Sequence, residues 1–255
     1  MGTACVIVVE DDAALRQFVS AALQDLHIDL VVCAGATEAM QALASKGGAR
    51  LVLTDLMLHR ESGLELVDQL TRDHTLHKVE RVAVFSASID PRMRQRLADL
   101  GVRHILPKPV SVAGLQTFVL EALADSTPVA VHDVQVASPV SDEGAEASAE
   151  ARAIAQFFAG DVALHAAFKA TCMVQFHDDV LDGDAACQSG DLDALRCLTH
   201  SLATVLDTLG YGAMAKLARD LHGRASAGEL LQAGAIWHSL RAGLLQLTSR
   251  RPGPA

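Results

Sequence analysis

Aromatic residues are scarce in this chain: one Trp, one Tyr and seven Phe among 255 residues, 4% in all. That scarcity, with Ala and Leu abundant, favours helices over a β-sandwich. No two of the five cysteines (Cys5, Cys33, Cys172, Cys187, Cys197) are spaced C-x-x-C, and an odd number cannot all pair within one chain. A disulfide framework and a thiolate metal site are thereby disfavoured, and buried thiols in a reducing compartment are expected. Positive charge is in deficit, with 21 Lys and Arg against 31 Asp and Glu for a formal net charge of -10. This balance argues against a nucleic-acid-binding surface spread over the whole protein. No stretch approaches the roughly 20 apolar residues of a membrane helix. The apolar run Val6–Val9 is too short for a signal peptide, and acids follow it at once. A soluble, cytoplasmic protein is the expectation. A nucleotide loop of the form G-x-x-x-x-G-K-[ST] is also missing, so a conventional kinase or hydrolase is disfavoured.

What is present is a chain that is 50% hydrophobic and 20% charged, enough apolar material for a real core. The length suits one large domain or two of ordinary size. Short β-branched runs lie at residues 4–9, 29–33, 50–54, 82–86 and 102–106. Helical patterns separate them at 13–26, 37–46, 64–74 and 91–100, and a fifth follows at 112–124. Alternating strands and helices predict a doubly wound α/β domain over 1–124, with a five-stranded parallel sheet. Residues 125–148 hold prolines, serines and clustered acids without periodicity, which predicts a linker. Beyond it the strand signal disappears. Helical segments are expected at 149–158, 162–181, 192–209, 211–225 and 229–247, with a turn at 182–191. Short connections predict an all-α up-down bundle over 149–250.

Glu10, Asp11 and Asp12 end the first strand and Asp55 ends the third. Parallel α/β sheets open all strand C-termini on one edge, where ligands bind. Glu10, Asp11 and Asp55 should therefore converge, and a hard divalent cation such as Mg²⁺ would relieve their mutual repulsion. Helix capping by strand-end acids could account for Asp11 or Asp12 alone. Ser86 at the fourth strand's end and Lys108 after the fifth add a hydroxyl and an ammonium that can bind phosphoryl oxygens. Lys108 lies between Pro107 and Pro109, where one bond could be cis.

The segments VIVVEDDAALR, LVLTDLMLHRESGLEL, VAVFSAS and GVRHILPKP resemble the receiver domain of two-component response regulators over about residues 4–124. The resemblance implies that Asp55 is the phospho-acceptor, a carboxylate nucleophile attacking phosphorus in line. Glu10, Asp11, Asp55 and the backbone carbonyl of Met57 would hold Mg²⁺, Ser86 would contact the phosphoryl group, and Lys108 would neutralise it. Two positions depart from the family: His59 stands where Pro is frequent, and Ile105 where an aromatic usually precedes the lysine by three residues. No helix-turn-helix follows the linker, so a transcription-factor output is disfavoured.

In LDALRCLTHSLATVLDTLG, residues 192–210, the leucines and valine at 195, 198, 202, 205 and 209 form one apolar stripe. His200 lies about 200° from Leu198 on a helix of roughly 3.6 residues per turn and should face away from that stripe. His-x-Leu, then six residues, then Leu-Gly, followed by YGAMAKLARDLHGRA, resembles the histidine phosphotransfer domain over about 150–249. The resemblance implies that an exposed His200 carries a phosphoryl group on its imidazole. Ala203 and Thr204 depart from the family's Lys and Gly, and Arg196 or Lys216 could supply the missing charge. His165, His177, His222 and His238 lack this context and are expected to be structural or solvated.

Two readings follow. In the first, the protein is a phosphorelay intermediate and a stoichiometric phosphoryl carrier, with Asp55 loaded by a sensor histidine kinase or phosphotransfer protein and His200 exchanging phosphate with a receiver. In the second, the bundle is a phosphotransfer-like module that binds a kinase or receiver without carrying phosphate, and Asp55 regulates that binding.

Overall fold

The computed structural model describes residues 3–58, 61–72, 78–87, 89–124 and 143–249. Two compact units divide the chain, one within Met1–Ala137 and the other within Ser138–Ala255. The first alternates strands and helices: β1 Ala4–Val9, α1 Ala13–Leu23, β2 Ile28–Cys33, α2 Ala36–Lys46, β3 Leu51–Thr54, α3 Gly63–Arg72, β4 Val82–Ser86, α4 Pro91–Asp99, β5 His104–Pro107 and α5 Val112–Ala124. The sheet is wholly parallel in the order β2-β1-β3-β4-β5. β1, β3 and β4 are the interior strands. Their continuous β-branched runs are buried on both faces, as a sheet covered by helices on both sides requires. Capping follows the local sequence. Asp12 accepts from the Leu15 amide at the start of α1, and Asp90 from the Met93 amide ahead of Pro91 in α4. Gly47 closes α2 in the left-handed region.

The second unit is all helical among the described residues: α6 Glu143–Phe157, α7 Val162–Ser189, α8 Leu192–Thr208, α9 Gly212–Ser226 and α10 Leu230–Ser249. α7 packs on α8, α8 on α9, α9 on α10, and α10 back on α7, so the last four helices close a ring with short connections. α6 packs against α8. The core is built on Phe158, Phe168, Phe176, Leu206, Trp237 and Leu240. Among the described residues no single helix is long and apolar enough to cross a membrane.

Two boundaries differ most from the sequence reading. α6 begins at Glu143, inside the stretch read as linker, because EGAEAS is rich in the helix formers Glu and Ala and a helix end needs no apolar period. The remainder of that stretch, 125–142, lies outside the described residues, as does His59. The turn expected at 182–191 shrinks to Gly190 and Asp191, and α7 runs unbroken to Ser189. Gly183, with Asp182 and Asp184 beside it, gave the appearance of a turn. In the fold, Gly183 lies against the Trp237 indole, and Asp184 accepts hydrogen bonds from Trp237 Nε1 (2.9 Å) and Arg241 Nε (2.8 Å). Burial works against ionisation of Asp184, but the Trp237 and Arg241 hydrogen bonds outweigh it and hold the carboxyl below its usual range.

Candidate functional site

One extra rung on each strand ladder places the acidic residues. The Glu10 amide donates to the Cys33 carbonyl (3.0 Å), the Asp55 amide to Val9 (3.0 Å), and the Lys108 amide to Ser86 (3.1 Å). Each residue is thereby fixed at the carboxyl edge of its strand, where the helices leave the sheet and the edge is open to a ligand. Carboxylate oxygens of Glu10, Asp11 and Asp55 lie within 4.8 Å of one another. Asp12 stays out of this cluster and caps α1.

Lys108 reaches into the cluster. Its Nζ donates to Glu10 Oε2 (2.5 Å) and Asp55 Oδ2 (2.6 Å) and stands 4.7 Å from the centre of the Phe85 ring. The Lys108–Pro109 bond is cis. The Lys108 side chain is only 2% exposed, and those of Glu10 and Asp55 are fully buried. Burial alone would lower the ammonium's pKa, yet the two carboxylates more than offset it and raise it above the ordinary value. Glu10 is pushed up to about 8, first by burial and then by Asp55, Asp11 and Asp12, with Lys108 pulling the other way. One ammonium does not balance three crowded carboxyls. A proton or a further cation completes the balance, and an all-oxygen donor set at this spacing fits a hard divalent ion such as Mg²⁺. Met57 donates its amide to Asp55 Oδ1 (3.1 Å) and forms an isolated antiparallel bridge with Ser62, which closes the loop that carries the expected carbonyl ligand. The Ser86 hydroxyl, at the end of the adjacent strand β4, is buried without a hydrogen-bond partner. Such an orphan is costly unless a ligand satisfies it. Ile105 packs on the hydrophobic core from β5.

Three supporting residues escaped the sequence reading. Gly63 lies against the backbone of Asp55, where a Cβ would sit 1.8 Å from the Asp55 carbonyl oxygen. Arg16 donates to the carbonyls of Glu10 and Asp11. Phe85 lies beneath the Lys108 ammonium. A lone Gly, Arg or Phe carries no local signal of such contacts, which exist only once the sheet has assembled.

In the second unit His200 lies near the middle of α8 but does not face solvent. It is 5% exposed, with Ala203 and Thr204 buried beside it. The expectation of an exposed imidazole is corrected here. It assumed a helix buried on one stripe, whereas α8 is packed by α6, α7 and α9, so residues on both flanks of the stripe are covered. The His200 ring stands 5.7 Å from that of His222 on α9. His222 Nδ1 lies 3.0 Å from the Arg196 carbonyl, which can only accept, so Nδ1 carries the proton. His222 was assigned no role from sequence, since a neighbour across two helices leaves no mark on local spacing. Arg196 and Lys216, the cations expected to serve His200, are engaged by Asp193 (3.1 Å) and Asp220 (2.9 Å). His177 and His238 are exposed, and His165 is buried.

Residues 6–120 match the family described as response regulator receiver domain. No curated protein matches the chain. Among solved structures, the chemotaxis response regulator CheY4 of Vibrio cholerae is 25% identical, with 48% of this chain and 100% of that chain covered and a TM-score of 0.43. The signal receiver domain of a putative Luxo repressor protein from Vibrio parahaemolyticus is 22% identical, covering 49% and 92%, with a TM-score of 0.44. The receiver domain of a Saccharomyces cerevisiae response regulator, co-crystallised with a histidine phosphotransfer signaling protein, belongs to a match at 20% identity, covering 51% and 94%, with a TM-score of 0.43.

Proposed function

We propose, from the premise that residues 6–120 are a response regulator receiver domain, that this two-component signalling protein takes a phosphoryl group on Asp55. Mg²⁺ held by Glu10, Asp11, Asp55 and the Met57 carbonyl would supply charge neutralisation at the phosphoryl oxygens. The chain's own residues do the rest. Asp55 offers a carboxylate oxygen as the nucleophile. Lys108 already bonds both Asp55 and Glu10 and takes up charge as the acyl phosphate forms. Ser86 supplies a buried hydroxyl for a phosphoryl oxygen. The observation that carries the proposal is Lys108 bridging two buried carboxylates at the edge where the third acid and the orphan hydroxyl also lie. The chain acts as a stoichiometric carrier. Its donor is a sensor histidine kinase or a phosphotransfer protein, with no role for nucleic acid.

The helical unit acts as a phosphotransfer-like binding module for a kinase or receiver, regulated by Asp55. The burial of His200 beside the His222 ring favours this reading over a relay, because transfer requires the imidazole to meet a partner's aspartate at close range. The relay reading keeps one observation in its favour: His200 stands on a helix of a closed four-helix ring, in the His-x-Leu context of a phosphotransfer domain.

Labelling with a small phosphodonor tests both. Asp55 should give Mg²⁺-dependent, base-labile label that vanishes in Asp55→Asn and weakens strongly in Asp11→Asn. Undiminished acyl-phosphate label on Asp55→Asn would sink the assignment. Acid-labile label that disappears in His200→Gln would restore the relay.

A further inference from the structure

We infer that Arg16 is a positioning residue of the cation site, holding the chain turn that lets Glu10 and Asp11 serve the same ion; this rests on the Mg²⁺ reading above. In an extended strand, neighbouring residues point their side chains to opposite faces. Glu10 and Asp11 are neighbours, yet their carboxylates reach within 4.8 Å of each other and of Asp55. The chain must therefore leave strand geometry between them. The ladder ends there: the Glu10 amide makes the last rung, to Cys33. One nitrogen of Arg16 then gathers the two carbonyls that follow. Nη1 donates to Glu10 O at 2.9 Å and to Asp11 O at 2.6 Å. Successive carbonyls of a strand diverge, so a shared donor for both is a clamp on the turn. Arg16 sits on the first helix after that turn, half-buried, with its backbone tied to the Asp12 carbonyl at 2.9 Å. The guanidinium thus spans from α1 back to the β1 edge.

Arg16 has two effects on cation binding, and they differ in sign. Its charge, held against the backbone of two ligand residues, repels a divalent ion. Its clamp orients two of the ligands, and loss of outer-sphere support of this kind costs roughly 10–100-fold in metal affinity. The geometry, two hydrogen bonds from one nitrogen to the ligand-bearing backbone, points to the clamp as the larger effect. Removal of the side chain should weaken binding, whereas an effect of charge alone would strengthen it.

The test is calorimetric titration of the full-length protein with MgCl₂ and no phosphodonor, accompanied by far-UV circular dichroism. Arg16→Met is expected to bind Mg²⁺ about tenfold more weakly than wild type. Arg16→Lys, which keeps the charge and a donor but not the fork, should fall between the two. If Arg16→Met binds as tightly as wild type or more tightly, the clamp is refuted. If Arg16→Met fails to fold, Arg16→Lys decides: weaker binding supports the clamp, and wild-type affinity overturns it. A wild-type protein that binds no Mg²⁺ would overturn the metal reading of Proposed function and this proposal with it. Binding by wild type that is lost in Asp11→Asn but intact in Arg16→Met overturns this proposal alone.

Discussion

Gly183 lies against the indole of Trp237: a Cβ at position 183 would stand 2.1 Å from Cζ2 of the ring. The contact joins α10 to α7, a single helix of 28 residues. Gly183→Ala should gain up to about 1 kcal/mol of helix propensity. It must also displace an indole in a packed core, at a cost of about 1–3 kcal/mol. The net expectation is a loss. Trp237 is the sole tryptophan of the chain, so its fluorescence in a urea titration reads the effect directly. A midpoint at or above that of wild type would show that the ring moves aside freely.

Lys108 is the counter-charge of the acidic cluster. Its replacement by Met leaves Glu10 and Asp55 facing each other without it, and breaking a buried pair of this kind costs about 3–5 kcal/mol. Millimolar Mg²⁺ should recover part of the loss by taking over the balance. Thermal unfolding of Lys108→Met with and without Mg²⁺ measures both effects. A variant as stable as wild type in metal-free buffer would refute the counter-charge role.

His165 is 2% exposed, edge-on to Phe158 at 5.1 Å, with Glu150 3.7 Å from its Nδ1. Burial lowers its pKa below the ordinary 6.5; Glu150 opposes this and Lys169 adds to it. As pH falls, the unfolded chain therefore takes up the proton first, and stability declines as pH drops below about 6.5. The decline ends once pH has passed the folded value. His165→Phe should flatten the stability profile of the helical unit between about pH 7 and 5. An unchanged slope would remove His165 as the cause.

His222 covers His200 from α9. His222→Ala should open the imidazole to solvent and speed its acylation by diethylpyrocarbonate, read by mass spectrometry of the peptide containing position 200. If His200 reacts equally fast in wild type, the ring is accessible without help and the argument against a relay fails. Ala203→Lys, which restores the charge of the phosphotransfer pattern, places an ammonium at a buried position and should lower stability. Thr204→Gly should also lower it, through roughly a few tenths of a kcal/mol of helix propensity and the loss of a buried side chain.

Much of the first unit was legible because its signals are local. Runs such as ACVIVV and VAVFS are apolar and β-branched over a strand's length, and the topology of a parallel sheet then sends their ends to one edge. Glu10, Asp11, Asp55, Ser86 and Lys108 could be placed at strand ends from order alone. The helices of the second unit were equally plain from periodicity, apart from the glycine and acids that mimicked a turn at 182–184. What the sequence by itself determined was therefore which elements form and which chemical groups stand at their ends. Only the tertiary structure decided how those groups meet. His200 is buried because three helices pack on α8, and the count of neighbours around a helix is not written in that helix's own period. Gly183 leaves room for an indole 54 residues further on, a contact that nothing in its own helix announces. Arg16 and His222 acquire their contacts from backbone carbonyls that folding brings within reach. Hydrophobic periodicity is a property of a segment, whereas burial, orphaned hydroxyls and shared hydrogen bonds belong to the packing between segments, and they exist only after the chain has closed on itself.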